Sequence, residues 1–397
     1  MSSKKIFLIP FLLFYFSALS QVKKNKYSPI YVKVNSVPDS LTYTSEKLTN
    51  YINANFSTNA DKARAIYYWI TAHITYDIDN MFAINFKTDK TQSVTKTLAT
   101  QKGICLDYAY LFQDLATRCN IPCIVVLGFT KQSGFVDYIP HAWVIAKPDS
   151  AWFLCDPTWG SGHIENKKFV REINEFYYNT KPFDFIKNHF PYDPLWQLSN
   201  YPLTQAEFFD ADFKEKKTKP YFNFNDSIAQ YQNLSDLDKD VAAVRRIENN
   251  GVKNTLTFDR LVNLKREVEY IQSNRAVNVF NEATNYYNNA VNLFNDYGTY
   301  KNKQFTPEKP DAEIKKMVDT VAASLILSQN KILEIKHPEL INNIDAGIKN
   351  LQKLQADLKT KLDGEVTFVN NYLATKKSKR KALFYQKTYS LFGVPIK

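Results

Sequence analysis

Two early stretches carry apolar residues at helical spacing. Ala63, Ile66, Ile70 and Ile74 recur three or four apart, which predicts an amphipathic helix over 61–77 with a short extended end, capped by Asn59 or Asp61. After a polar stretch over 88–102, Gly103 opens a second helix of about 104–120, with Tyr108, Leu111, Phe112 and Leu115 on its apolar side. Pro122 ends it, since proline cannot continue the helical ladder. The pattern then switches to β-branched and apolar runs at 123–129, 141–146 and 152–155, read as strands. The last two are joined across Pro148-Asp149-Ser150, which is turn chemistry. The fold class read for 58–215 is therefore α+β, with an aromatic, proline-punctuated stretch over 166–215 wrapping the core.

From about 225 the strands vanish. Leu261, Leu264, Val268 and Ile271 fall at three-four spacing, as do Ile344, Ile348, Leu351, Leu354, Leu358 and Leu362. Pro307 and Pro310 break the pattern between them, and Pro338 marks another boundary. Residues 216–397 read as an elongated all-α region, a bundle or coiled-coil-like array. It ends in the basic run Lys376-Lys377-Ser378-Lys379-Arg380-Lys381, read as a solvated helix end or tail.

At the other end, Lys4 and Lys5 precede an apolar run over 6–16 too short to span a bilayer comfortably. Ala18-Leu19-Ser20 supplies the small residues a signal peptidase reads. Residues 1–20 are expected to be a signal peptide cleaved before Gln21, with no later membrane span, giving a secreted or periplasmic protein. Residues 21–57, polar and mixed, read as a lead-in.

At 397 residues the chain has room for two or three domains, and its 44% hydrophobic and 15% aromatic content excludes a disordered polymer. Only 10 glycines argue against glycine-rich loops and turn-dense all-β folds. The net charge of +11 comes from lysines spread along the chain, so no nucleic-acid surface is indicated. No zinc-finger spacing, phosphate loop, dinucleotide fingerprint or EF-hand loop is present, and no cofactor or metal is expected. The cysteines, at 105, 119, 123 and 155, are too few for a disulfide scaffold, though an oxidising compartment could pair two of Cys119, Cys123 and Cys155.

Three segments carry candidate chemistry: Lys102-Gly103-Ile104-Cys105, His141-Ala142-Trp143 and Asp156-Pro157-Thr158-Trp159. Cys105 falls in the first turn of a helix, where free N–H groups and the positive dipole end favour a thiolate and can hold an oxyanion. With 148–151 as the hairpin connection, Lys147 faces Trp152 and His141 faces Thr158. Asp156 then lies two positions along on the same face as His141, within diagonal reach, while Cys155 points to the opposite face. A thiol needs a base nearby, and the base needs a third group to hold its tautomer. Among the other histidines (73, 163, 189 and 337), His163 is the competitor for this role, by its closeness to Asp156 in sequence.

Those motifs resemble the transglutaminase-like superfamily, papain-related in fold, whose pattern is a helix-opening Gly-x-Cys, then His-Ala-Trp, then Asp-Pro-Thr. The leading helix 62–70, followed by Ile74-Thr75-Tyr76-Asp77, also looks like the family's. His189-Phe190-Pro191 and Trp196-Gln197-Leu198 resemble the subgroup related to the kyphoscoliosis peptidase and to cytokinesis proteins. The resemblance covers about 58–210. It implies Cys105 as nucleophile, His141 as general base and acid, and Asp156 as the orienting carboxylate. Gln101 and Tyr76 are candidate oxyanion donors, and Trp143 and Trp159 candidate walls of the site. The expected function is thiol acyl transfer on protein or peptide amide bonds, hydrolysis rather than crosslinking. The alternative is a catalytically silent secreted binding or scaffold protein whose C-terminal helices recognise a protein partner.

Overall fold

A computed structural model describes residues 27–86, 88–214, 216–335, 344–385, 388–389 and 395–396. The expected signal peptide, His337 and Pro338 lie outside them. The chain divides into two compact units, 1–235 with 242–261, and 236–241 with 262–397.

The first unit opens with two helices, α1 (Ser28–Asn35) and α2 (Ser45–Asn55). Val34, Leu48, Ile52 and Phe56 are buried in its main core, so the stretch read as a lead-in belongs to the domain itself. α3 (Asn59–His73) is the expected amphipathic helix, with Ala63, Ile66 and Ile70 fully buried. Its cap is Thr58 rather than Asn59 or Asp61. Thr58 has the extended backbone a cap requires, and its hydroxyl accepts the Asp61 N–H at 3.1 Å.

The polar stretch before Cys105 contains a further helix, α4 (Lys90–Thr100), capped by Asp89. Val94 and Leu98 are its only buried apolar side chains, too thin a stripe to read from the sequence. Two short strands, β1 (Thr75–Tyr76) and β2 (Lys102–Gly103), pair in parallel and tie the exit of α3 to the entrance of α5 (Cys105–Arg118).

The remaining strands of this unit are β3 (Cys123–Gln132), β4 (Phe135–Val136), β5 (His141–Ala146), β6 (Phe153–Cys155), β7 (Gly162–Glu165), β8 (Lys168–Arg171), β9 (Tyr178–Thr180) and β10 (His189–Pro191). The central sheet has the order β10-β3-β5-β6-β9, with β4 paired to β3. Its strands pair antiparallel. The β5–β6 register, Ala146↔Phe153, Ile145↔Leu154 and Val144↔Cys155, is the one that hairpin parity implies.

One sheet face packs on the helices. Ala142, Val144, Ala146 and Cys155 join the core built by α3 and α5. On the other face, Val126, Trp143, Ile145 and Leu154 meet Phe185, Leu195, Trp196 and Ile228. The stretch over 166–215 thus does more than wrap: β9 and β10 are edge strands of the sheet, and Phe185, Leu195 and Trp196 close its second face.

Gly128 makes this closure possible. It pairs with His141 on one side and Pro191 on the other. A Cβ there would meet the Phe190 carbonyl oxygen at 2.2 Å and the Trp143 ring at 2.5 Å. Gly128→Ala is expected to lose about 1–3 kcal/mol of stability by overpacking, read as a lower urea midpoint at unchanged slope.

The second unit is helical apart from one antiparallel pair of two-residue strands, Thr388–Tyr389 and Pro395–Ile396. The 48-residue α6 (Thr255–Asn302) supplies Ala290, Tyr297 and Tyr300 to a core. α7 (Asp311–Leu333) adds Ile314, Val318, Val321 and Leu325, and α8 (Ile344–Ala374) adds Leu358, Leu362 and Val369. Inside the basic run, Arg380 is not a free solvated charge: it forms two hydrogen bonds to Asp311 at the start of α7, at 2.6 and 2.8 Å. Among the described residues no helix is long and apolar enough to cross a membrane.

Candidate active site

Cys105 is the first residue of α5 and is 2% exposed. The start of the helix is held from three sides. Asp107 accepts the Ile104 N–H at 2.9 Å through Oδ2 and the Ser93 hydroxyl at 2.5 Å through Oδ1. The Tyr108 hydroxyl donates to the Ile74 carbonyl at 2.7 Å. Gly103 lies so close to Asp107 that a Cβ would sit 2.7 Å from the Asp107 Cβ. The free N–H groups of this first turn are therefore fixed in place around the thiol.

His141 heads β5, and Asp156 follows the last residue of β6. The imidazole Nε2 lies 2.8 Å from Asp156 Oδ2, which leaves Nδ1 as the nitrogen available to Cys105. The Asp156 carboxylate is fully buried and fully engaged. Its Oδ1 accepts the backbone N–H groups of Thr158 at 2.8 Å and Trp159 at 3.2 Å, closing a tight turn through Pro157. Its Oδ2 accepts His141 and also His189, whose Nε2 stands 2.9 Å away.

The sequence marks His189 only within the His189-Phe190-Pro191 run and offers His163 as the competitor, but His163 is exposed and lies beside Glu172. The place of His189 is set by β10, where it pairs with Thr130 of β3 while Pro191 pairs with Gly128. That partnership joins segments some 60 positions apart and leaves no local spacing to read. The signal available was the short apolar His-Phe-Pro run, of the kind found at sheet edges.

Charge follows from these contacts. Burial opposes ionisation of Asp156, but the charge and hydrogen bonds of His141, then those of His189, hold its carboxyl far below the usual range. Burial also pulls His141 down, yet the Asp156 carboxylate, followed by the Cys105 side chain, pushes it up to about 10. For His189 burial wins, with help from His141, and it falls to about 4. At neutral pH the cluster is an imidazolium, a carboxylate and a neutral imidazole.

The two nitrogens and Oδ2 all lie within 4.8 Å of one another, the kind of grouping that can hold a metal ion. Their 2.8 and 2.9 Å separations are those of N–H···O hydrogen bonds, and both ring nitrogens are already committed to the carboxylate. The donor set fits a proton network.

Aromatic rings close the surroundings. Trp159 lies 5.8 Å from His141 and 4.5 Å from His189, centroid to centroid. Trp143 packs 6.1 Å from His141 and is wholly buried in the second-face core. Of the two oxyanion candidates, Tyr76 is within electrostatic range of Cys105 and Asp156, and burial holds its phenol protonated. Gln101 ends α4 in a left-handed conformation. The other thiols are set apart: Cys119, Cys123 and Cys155 are free and are all pushed up by burial, so the disulfide considered among them is not formed. A cavity of about 360 Å³ lies elsewhere, beside Pro122, Lys147 and Trp152.

Residues 46–157 match the family model of the transglutaminase-like superfamily. They form a transglutaminase-like domain. The chain is 34% identical over 165 residues to the kyphoscoliosis peptidase of Mus musculus, covering 40% of this chain and 24% of that protein. It is 26% identical over 197 residues to Hillarin of Drosophila melanogaster, covering 44% and 23%. It is 23% identical over 215 residues to cytokinesis protein 3 of Schizosaccharomyces pombe, covering 50% and 23%. The chain therefore spans about a quarter of the length of these curated relatives. The transglutaminase-like match contains Cys105, His141 and Asp156, and His189 lies beyond its end.

Proposed function

We propose that the transglutaminase-like domain is a thiol acyl-transfer centre, with Cys105 as nucleophile, His141 as general base and acid, and Asp156 as the carboxylate that orients it. The observation that supports this reading is the buried 2.8 Å contact between His141 Nε2 and Asp156, which leaves Nδ1 for the thiol at the head of α5.

Cys105 sulfur attacks an amide carbonyl while the imidazolium balances its charge. Backbone N–H groups of the first turn of α5 receive the oxyanion, with the Tyr76 hydroxyl nearby. His141 Nδ1–H then protonates the departing amine, leaving a thioester. Water resolves the thioester, with His141 taking its proton, and a carboxylic acid leaves. Hydrolysis is preferred to crosslinking because no sequence feature marks a dry channel for a lysine amine. The domain is proposed to act on protein or peptide amides outside the cytoplasm, as the N-terminal pattern implies. N-terminal sequencing of the processed protein should begin at Gln21.

The test is iodoacetamide alkylation across pH 5–9, with the label located by mass spectrometry. Cys105 in the wild type should be alkylated rapidly at pH 6–7, and His141→Ala should remove that reactivity. Cys119, Cys123 and Cys155 should stay unlabelled in the folded protein. Peptide amides offered with and without a primary amine then separate hydrolysis from transfer.

A second reading, a binding domain without turnover whose helical region recognises a protein partner, is favoured by the near-complete burial of Cys105. It requires Cys105 to be inert or indifferent to His141.

A further inference from the structure

The proposed mechanism leaves the buried imidazole of His189 unused. His189 is 0% exposed and donates to the same carboxylate oxygen as the proposed base. We propose that His189 is a positioning residue for the Cys105–His141–Asp156 centre: its Nε2–H completes the shell of donors that fixes the Asp156 carboxylate. The inference rests on the acyl-transfer reading and extends it to a residue outside the segment that matches the family model.

The argument begins with the carboxylate. A buried carboxylate needs about four donors to replace its water. Asp156 has four: two backbone N–H groups on Oδ1, and His141 and His189 on Oδ2. The two backbone donors fix one oxygen, but the plane of the group can still turn about it. His189 also holds Oδ2, so the carboxylate cannot swing off His141 Nε2 without breaking a second buried bond.

His189 can do this only as a neutral ring protonated on Nε2. A second imidazolium beside His141 would leave an uncompensated buried charge. The rings of Phe185 at 4.2 Å, Trp159 at 4.5 Å and Trp143 at 5.3 Å provide an apolar box that disfavours it. The charged groups acting on His189 are Asp156, His141 and, more weakly, Asp137. Its other nitrogen, Nδ1, lies 2.7 Å from Asn188 Oδ1. A neutral ring with its proton on Nε2 offers a lone pair there, so it calls for the Asn188 amide turned about its last bond, which exchanges Oδ1 for an N–H at that nitrogen.

Two measurements test it. In wild-type protein at pH 7, long-range 1H–15N spectra should show His189 neutral with its proton on Nε2, and His141 doubly protonated. A His189 that is cationic, or protonated on Nδ1, overturns the proposal without any mutation. The second is the Cys105 alkylation profile of His189→Phe, which keeps the ring volume but has no donor, and of His189→Gln, which returns an N–H. His189→Phe should slow alkylation at pH 6–7 by roughly tenfold to a hundredfold, the scale of a small misplacement at a reacting centre, and His189→Gln should recover most of it. A folded His189→Phe with the wild-type profile overturns the proposal, as does equal impairment of both variants, which would mark a packing role. If wild type and His141→Ala alkylate alike, the acyl-transfer reading is what fails, and the spectra still decide the place of His189.

Discussion

Asp156→Asn should reduce acyl transfer by roughly 10⁴-fold while leaving Cys105 and His141 in place, the scale seen when an orienting carboxylate becomes an amide. The reason lies in the turn after β6. The Thr158 and Trp159 N–H groups still require an acceptor, so an amide at 156 places its oxygen where Oδ1 was and its NH2 toward the two imidazoles. An N–H then faces His141 Nε2, and the neutral ring must carry its proton on Nδ1, the nitrogen that should serve the thiol. His189 loses its acceptor in the same step. The check is turnover of a peptide amide together with the His141 tautomer, after circular dichroism shows the variant folded. Turnover within tenfold of wild type would remove Asp156 from the mechanism.

The second large effect is on stability against pH. His141 rises from 6.5 in the unfolded chain to about 10 in the fold. Its contribution is full below pH 6.5 and is lost as pH climbs through about 10. His189 has the opposite sign: depressed to about 4, it contributes above 6.5 and loses that contribution as pH falls toward 4. Asp156, held below its ordinary 3.8, contributes above 3.8 and fails only in stronger acid. Together these groups place a stability maximum near pH 6.5, with an alkaline decline on the order of several kcal/mol. Urea midpoints of wild type and Asp156→Asn between pH 5 and 10 isolate it, because titrations elsewhere cancel in the difference. The gap between the two proteins should narrow steadily from pH 7 to 10, and a constant gap would rule out the His141–Asp156 linkage.

Much of the site was legible because it depends on local order. Cys105 at a helix start follows from Gly103 and the apolar spacing after it. The shared face of His141 and Asp156 follows from the two-residue period of strands and one hairpin count, which the observed β5–β6 register matches. The three-four spacing over 261–271 and 344–362 likewise falls within two of the long helices, Thr255–Asn302 and Ile344–Ala374. α4 was missed because two apolar residues make too thin a stripe, and α1 and α2 because a short amphipathic helix with a polar surround looks like a linker until its partner core is known.

The sequence by itself determined which side chains could do the chemistry and the local elements that carry them, since helical and strand periods are properties of neighbouring residues. Only the tertiary structure decided how the carboxylate is held. The pairing of β10 with β3 joins residues some 60 positions apart, and no period along the chain encodes which edge a short strand will choose. That choice brings His189 onto Asp156, and the burial that comes with it sets one imidazole charged and the other neutral on a single oxygen.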